Sequence, residues 1–143
     1  MPDGPRSILD GLLNEESAAM PEPLVAIIDD DVSVRRALTR LVQAAGLRAQ
    51  SFSSAAEFLT HGLPAKPDCL ILDVHLGGMS GLELLHLLRD SGERVPAVVI
   101  TAHDDPQTRQ QAQGLAATYH RKPLDAPLLM TEITRALQRE KPL

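Results

Sequence analysis

The sequence predicts an α/β domain built on a doubly wound, five-stranded parallel sheet with helices on both faces. Two observations carry this expectation. Five short apolar or β-branched runs alternate with longer segments of helical period over about 120 residues, and βα alternation of this kind builds parallel sheets. Several of the runs are also apolar at every position, as strands buried on both faces must be.

Leu24-Val-Ala-Ile-Ile28 opens the series, directly after the composition changes at Pro23, and its uniform apolarity places it centrally in the sheet. Val34, Ala37, Leu38, Leu41, Val42 and Ala45 then recur at spacings of three and four, predicting a first helix over Ser33 to Ala45 that Gly46 stops. Arg48 to Phe52 reads as a more polar second strand, and Ala55 to Leu59 as a short second helix ending near Gly62. Cys69 to Asp73 is the third strand, apolar until its last residue. The third helix spans Gly81 to Arg89, with Leu82, Leu85 and Leu88 on one side and Gly92 just past its end. Ala97-Val-Val-Ile-Thr101 is the fourth strand, and Asp105-Pro106 is a cap and first-turn pair for a fourth helix. Thr118 to Arg121 forms the fifth strand, and Leu129, Ile133, Ala136 and Leu137 mark the buried face of a fifth helix.

These elements define one domain over residues 23–140, preceded by an extension over 1–22 rich in Pro, Gly and acidic residues. Within the extension, Ser7 and Asp10 have the spacing of a helix start, with Ile8, Leu9, Leu12 and Leu13 on one face; a disordered tail fits equally, since so short a helix is marginal alone. The chain of 143 residues carries a net charge of −5 and has no dense Lys/Arg run, which argues against direct binding to nucleic acid or an anionic membrane surface. Cys69, the single cysteine, sits in an apolar run and reads as a small buried residue rather than a nucleophile. The start, MPDGPRS, lacks the features of a signal peptide, and the expected location is cytoplasmic.

In doubly wound sheets the ligand site lies beyond the carboxyl ends of the strands, where strand order reverses. The residues expected there are Asp29, Asp30 and Asp31 after the first strand, Asp73 after the third, Thr101 after the fourth and Lys122 after the fifth. Converging carboxylates repel unless a cation sits among them, and an all-oxygen ligand set suits a hard ion such as Mg2+. Mg2+ shares its sphere with waters and phosphate oxygens, so the same cluster points to phosphoryl chemistry. One carboxylate facing the metal and a lysine would attack phosphorus and form an acyl phosphate. Lys122 would neutralise phosphate oxygens, and the Thr101 hydroxyl would hydrogen-bond to one of them. Each residue alone is an ordinary loop-end polar group; the agreement of four strand ends carries the inference.

Ile28-Asp-Asp-Asp31, Leu72-Asp-Val-His-Leu76 with Gly78-Met-Ser-Gly81, Ile100-Thr-Ala-His103 and Lys122-Pro123 together resemble the receiver domains of bacterial response regulators. The resemblance implies a (βα)5 flavodoxin-like receiver fold and a phosphoacceptor role for Asp73. It further implies that Asp29, Asp30, Asp73 and the backbone carbonyl of His75 bind Mg2+, and that Lys122 contacts the phosphoryl group. Thr101 and Tyr119 fall at the switch positions, and the Lys122-Pro123 bond is expected to be cis. His75, Ala102 and His103 occupy positions that tune how fast water reaches the acyl phosphate, although the two histidines also read as plain solvent-facing loop residues. The implied partners are a sensor histidine kinase or histidine phosphotransfer protein as donor, and a downstream protein reading the face of the fourth helix, fifth strand and fifth helix. Such a chain is not an enzyme beyond its own phosphorylation and slow autodephosphorylation.

Thr101-Ala-His-Asp-Asp-Pro106 is most similar to receivers that often precede a helix-turn-helix output domain. The chain therefore reads either as a stand-alone regulator or as the receiver piece of a longer DNA-binding transcriptional regulator. A phosphate-independent scaffold is a further alternative. A haloacid-dehalogenase-type phosphatase would need an aspartate where His75 stands, and no Gly-rich phosphate loop of the G-x-x-x-x-G-K-[ST] form is present. Two positions depart from the receiver pattern. Gly77-Gly78 replaces a usual proline after Asp73, which predicts a looser loop, and Leu115 stands where a glycine usually ends the fourth helix.

Overall fold

The computed structural model describes residues 22–139. The Ser7–Asp10 helix start and the last position of the expected domain lie outside them. Strands β1 (Leu24–Ile28), β2 (Arg48–Phe52), β3 (Cys69–Asp73), β4 (Ala97–Thr101) and β5 (Ala117–Arg121) pair in the order β2-β1-β3-β4-β5, and every pairing is parallel. Helices α1 (Val32–Ala44), α2 (from Ala55–Glu57), α3 (Gly81–Asp90), α4 (Pro106–Gly114) and α5 (Ala126–Arg139) connect or follow them. The chain moves from β1 outward to β2 and then crosses back to β3, so strand order reverses between β1 and β3.

Alternation along each strand divides the core into two layers. Ala26, Ile28, Leu70, Leu72, Ala97 and Val99 face one side, where they meet Phe58, Leu84, Leu85, Leu88 and Ala112 of α2, α3 and α4. Val25, Ile27, Cys69, Ile71, Val98 and Ile100 face the other, against Leu38 and Val42 of α1 and Leu129 and Ile133 of α5. Cys69 is fully buried in this second layer, the environment its apolar run predicts. Each fully buried Leu, Ile or Phe contributes roughly 1.5–3 kcal/mol of transfer free energy, so the central strands hold the register firmly.

Four of the five strands fall where the sequence places them, and β5 begins one residue earlier, at Ala117. The second helix runs further than expected: its first turn widens into a π-type segment over Phe58–Gly62 and closes with a 3-10 turn over Leu63–Ala65. The wider turn brings Gly62 against the edge-to-face pair Phe52 and Phe58, where any Cβ would collide with both rings. On α3 the buried stripe is Gly81, Leu84, Leu85 and Leu88 rather than Leu82, Leu85 and Leu88. That stripe has the i, i+3, i+4, i+7 spacing of a helix face, and Leu82 is left at its margin. A capping box starts this helix, with Glu83 N donating to Ser80 Oγ (3.1 Å) and Ser80 N to Glu83 Oε1 (2.8 Å).

The missing glycine at Leu115 is accommodated by moving the left-handed residue one position on. Leu115 keeps an ordinary φ of −100°, and Ala116 takes φ 59°, a conformation that costs an alanine roughly 1–2 kcal/mol. Arg89 secures this turn from the side. Its Nε donates to the Leu115 carbonyl (2.9 Å) and its Nη1 to the carbonyls of Glu93 (3.1 Å) and Val95 (2.8 Å). One guanidinium thus ties the end of α3, the approach to β4 and the end of α4 together. Because hydrogen bonds from a charged group contribute about 1.5–3 kcal/mol, Arg89→Ala is expected to lower the urea-unfolding free energy by at least about 2 kcal/mol, whereas Arg89→Lys retains part of it. An unchanged midpoint would show that the three carbonyls are equally well served by water.

Candidate functional site

Strand register brings the polar strand ends to one edge. Ile28 pairs with Leu72, so Asp29 and Asp73 lie level across the β1–β3 crevice. Asp73 pairs with Ile100, which sets Thr101 one residue beyond it, and Thr101 pairs with Arg121 immediately before Lys122. The Lys122-Pro123 peptide is cis, as expected. Asp29 and Thr101 are fully buried and Asp73 is 4% exposed, making these three the buried polar residues among those described.

The run Asp29-Asp30-Asp31 divides its labour. Asp31 turns away and caps α1, accepting from Ser33 N (2.8 Å) and Val34 N (3.4 Å). Asp29 turns inward, where Oδ1 accepts from Asp31 N (2.9 Å) and Oδ2 from Lys122 Nζ (3.0 Å). Asp30 remains exposed, and carboxylate oxygens of Asp29, Asp30 and Asp73 all lie within 4.8 Å of one another. Asp73 accepts from His75 N at Oδ1 (3.2 Å) and from Lys122 Nζ at Oδ2 (3.3 Å). Lys122 therefore bridges Asp29 and Asp73.

The electrostatics are those of a site short of positive charge. Burial first, and then the neighbouring Asp29 carboxylate, raise Asp73 above the usual carboxylate value; Lys122 and the His75 amide oppose this without overcoming it. Burial works against the Lys122 ammonium, but its hydrogen bonds to Asp29 and Asp73 and the charges of both carboxylates prevail and raise it. Two buried acids and an exposed third, all offering oxygen, match the demands of Mg2+: a hard donor set of few protein ligands with one side open to water and substrate.

Backbone packing fixes Asp73 in place. A Cβ on Gly81 would overlap the Asp73 carbonyl, so only glycine lets the start of α3 approach the end of β3, and Gly81 N donates to the Val74 carbonyl (2.9 Å). Gly78 takes φ 78°, a left-handed turn that the Gly77-Gly78 departure supplies. Sequence reasoning had Gly81 as the start of the third helix and as part of a motif, not as the glycine that lets α3 approach β3. Its role was legible in Ser80-Gly-Leu-Glu83, where a capping box fixes the helix start next to the strand end.

Around this cluster lie the remaining expected residues. Thr101 is turned toward its own loop: Oγ1 donates to the His103 carbonyl (3.2 Å) and accepts from His103 N (3.1 Å). Ala102 and His103 are exposed, and the His103 ring meets that of His75 edge-on at 5.4 Å between centroids. Tyr119 is half-buried on β5, with its hydroxyl accepting from Asp105 N (3.3 Å) at the start of α4. Arg109, which sequence reasoning passed over, lies 5.1 Å above the Tyr119 ring and holds both oxygens of Asp104 at 2.8 and 2.7 Å. Its signal was the spacing Asp104-Asp-Pro-x-x-Arg109, in which an arginine in the first turns of a helix faces the loop before it.

Residues 25–134 match the family model described as the response regulator receiver domain. The chain belongs to this family. Receiver domains are signalling domains of two-component systems, not enzymes; they generally bind Mg2+ at an acidic pocket and interact with histidine kinases and downstream effectors. The receiver is similar to the transcriptional regulatory protein FixJ of Azorhizobium caulinodans, with 38% identity over 122 residues covering 84% of this chain and 58% of the relative. It is also similar to nodulation protein W of Bradyrhizobium diazoefficiens, with 35% identity over 124 residues, 86% of this chain and 55% of the relative. Among solved structures it resembles the response regulator StyR, with 37% identity and a TM-score of 0.76 over 83% of this chain and 61% of that one. The receiver thus spans little more than half the length of these curated relatives. Among the described residues, no helix is long and apolar enough to cross a membrane.

If the acidic pair serves the metal rather than the fold, Asp30→Ala should weaken Mg2+ binding about tenfold or more while leaving the melting temperature in chelator unchanged or slightly raised. Calorimetric titration and thermal unfolding check this together. A large loss of stability in chelator would assign Asp30 a structural role.

Proposed function

We propose that this receiver, over residues 23–140, accepts a phosphoryl group on Asp73 from the phosphohistidine of a sensor histidine kinase or a histidine phosphotransfer protein. The observation that carries the proposal is the position of the Asp73 carboxylate at the point where strand order reverses, level with Asp29 and 3.3 Å from Lys122 Nζ. A carboxylate oxygen of Asp73 forms the new bond to phosphorus as the P–N bond of the donor imidazole breaks and that nitrogen takes up a proton. Asp29, Asp30 and Asp73, with the His75 carbonyl, are the residues that would hold Mg2+. When bound, Mg2+ supplies charge neutralisation for the phosphoryl oxygens. Lys122 exchanges one of its carboxylate contacts for a phosphoryl oxygen. Hydrolysis by water later returns Asp73 and inorganic phosphate, and His75, Ala102 and His103 line the approach on the solvent side and tune that rate.

Thr101 is the switch hydroxyl in this reading. Turning Oγ1 from the His103 backbone to a phosphoryl oxygen exchanges two hydrogen bonds near 3.1–3.2 Å for one to an anion and vacates space that Tyr119 occupies. Tyr119 then leaves Asp105 N, and the start of α4 moves with it. Among the residues of α4 only Ala112 is buried, so that helix shifts at small free-energy cost, and α4, β5 and α5 form the face read by a downstream protein. The sequence has no dense Lys/Arg run to support direct nucleic-acid contact, and we place its action in the cytoplasm with its phosphohistidine donors. A second reading has a specific observation behind it. The matched region covers 58% of the relative named as the transcriptional regulatory protein FixJ, which favours a receiver that controls a DNA-binding output domain.

Incubation with acetyl phosphate and Mg2+ should add the mass of one phosphoryl group to the parent and none to Asp73→Asn. In the labelled or beryllofluoride-bound parent, hydrogen exchange over residues 104–118 should change more than in any other helical segment. Equal labelling of Asp73→Asn would place the nucleophile elsewhere, and identical exchange in both states would move the signalling face away from α4.

A further inference from the structure

We propose that His75 and His103 together form a site for a borderline divalent transition-metal ion such as Zn2+, Ni2+ or Co2+, separate from the acidic cluster below them. The two imidazoles come from different strand-end loops, both are exposed, and they are the only histidine pair in ring contact among the described residues. Elsewhere His86 is engaged with Asp90 at 3.1 Å.

The geometry of the pair matches shared coordination. An imidazole nitrogen lies about 1.1 Å from its ring centroid, and Zn–N bonds are about 2.0–2.1 Å. Two rings holding one ion at a near-tetrahedral angle therefore have centroids roughly 5.2 Å apart. The observed separation is 5.4 Å with the planes at 81°, close to that spacing. Both rings are exposed, which leaves the remaining coordination positions to water. Donor chemistry separates the two sites: imidazole nitrogen suits Zn2+, Ni2+ or Co2+, whereas the carboxylates of Asp29, Asp30 and Asp73 suit Mg2+.

An ion there would act as a staple. His75 N is bonded to Asp73 Oδ1, and the His103 backbone is bonded twice to Thr101 Oγ1. Joining the two rings ties the loop after β3 to the loop after β4 across the mouth of the pocket and keeps Thr101 in the orientation seen here. This last consequence rests on the switch role proposed for Thr101; the metal site itself does not.

Zn2+ titrated calorimetrically into the whole chain, in a large excess of Mg2+, tests the site, with the visible spectrum of Co2+ followed in parallel. One equivalent should bind. His75→Ala and His103→Ala should each weaken binding about tenfold or more and reduce the Co2+ band, while His86→Ala leaves both unchanged. Zn2+ affinity that survives replacement of both histidines, or that excess Mg2+ abolishes, would overturn the proposal and put the ion among the three carboxylates.

Discussion

The contact on which the rest of this structure depends is the double bridge from Lys122 Nζ to Asp29 and Asp73. Two carboxylates that are almost wholly removed from water face each other at the carboxyl edge of the sheet, and a single ammonium stands between them. One positive charge does not balance two negative ones. The deficit shows in Asp73, which burial and Asp29 hold above its usual range despite the lysine. Such an arrangement is costly for stability and useful for chemistry, because a bound divalent cation or an incoming electrophile relieves it.

The remainder of the fold holds that tension in place. β1 and β3 are buried at every position, so the strand ends carrying Asp29 and Asp73 cannot slip. Gly81 permits α3 to press against the Asp73 carbonyl, and Arg35 Nη1 donates to the Asp29 carbonyl (2.7 Å), fixing the other side. Firmness gives way to looseness across the sheet toward α4. That helix buries one residue, is held at its start by the Tyr119 hydroxyl and at its end by Arg89, and is followed by a left-handed Ala116. A rigid reacting centre beside a weakly held helix is the arrangement a phosphorylation switch requires, and it is the basis on which the α4–β5–α5 face is proposed as the output surface.

Most of this was legible in the sequence for a definite reason. Uninterrupted apolar runs of five residues between helical-period segments have few interpretations, and they gave β1, β3 and β4 to the residue. The same reading named Asp29, Asp73, Thr101 and Lys122 because the rule locating ligands at strand ends needs only the order of elements. What escaped it depends on three-dimensional neighbours. The π-type turn at Phe58–Gly62 follows from rings of Phe52 and Phe58 that meet only in the folded sheet. The capping role of Asp31 depends on which carboxylate faces the first turn of α1, and Leu84 rather than Leu82 is buried because the rotation of α3 is set by Gly81. Arg89 and Arg109 act through carbonyls and a ring that lie far along the chain or across a loop, and charge patterning alone does not reveal such partners.

The charge deficit at Asp73 is open to direct observation. Carbon-detected NMR titration of the side-chain carboxyl in metal-free protein should place its midpoint above the ordinary 3.8, and saturating Mg2+ should lower it. The sign for stability follows: the folded state holds this proton more tightly than the unfolded chain, so Asp73's contribution is full below the unfolded value and is lost as pH rises through the folded one. A metal-free midpoint at or below 3.8 would mean that Lys122 alone balances the two carboxylates, and the view of this site as short of a cation would be wrong.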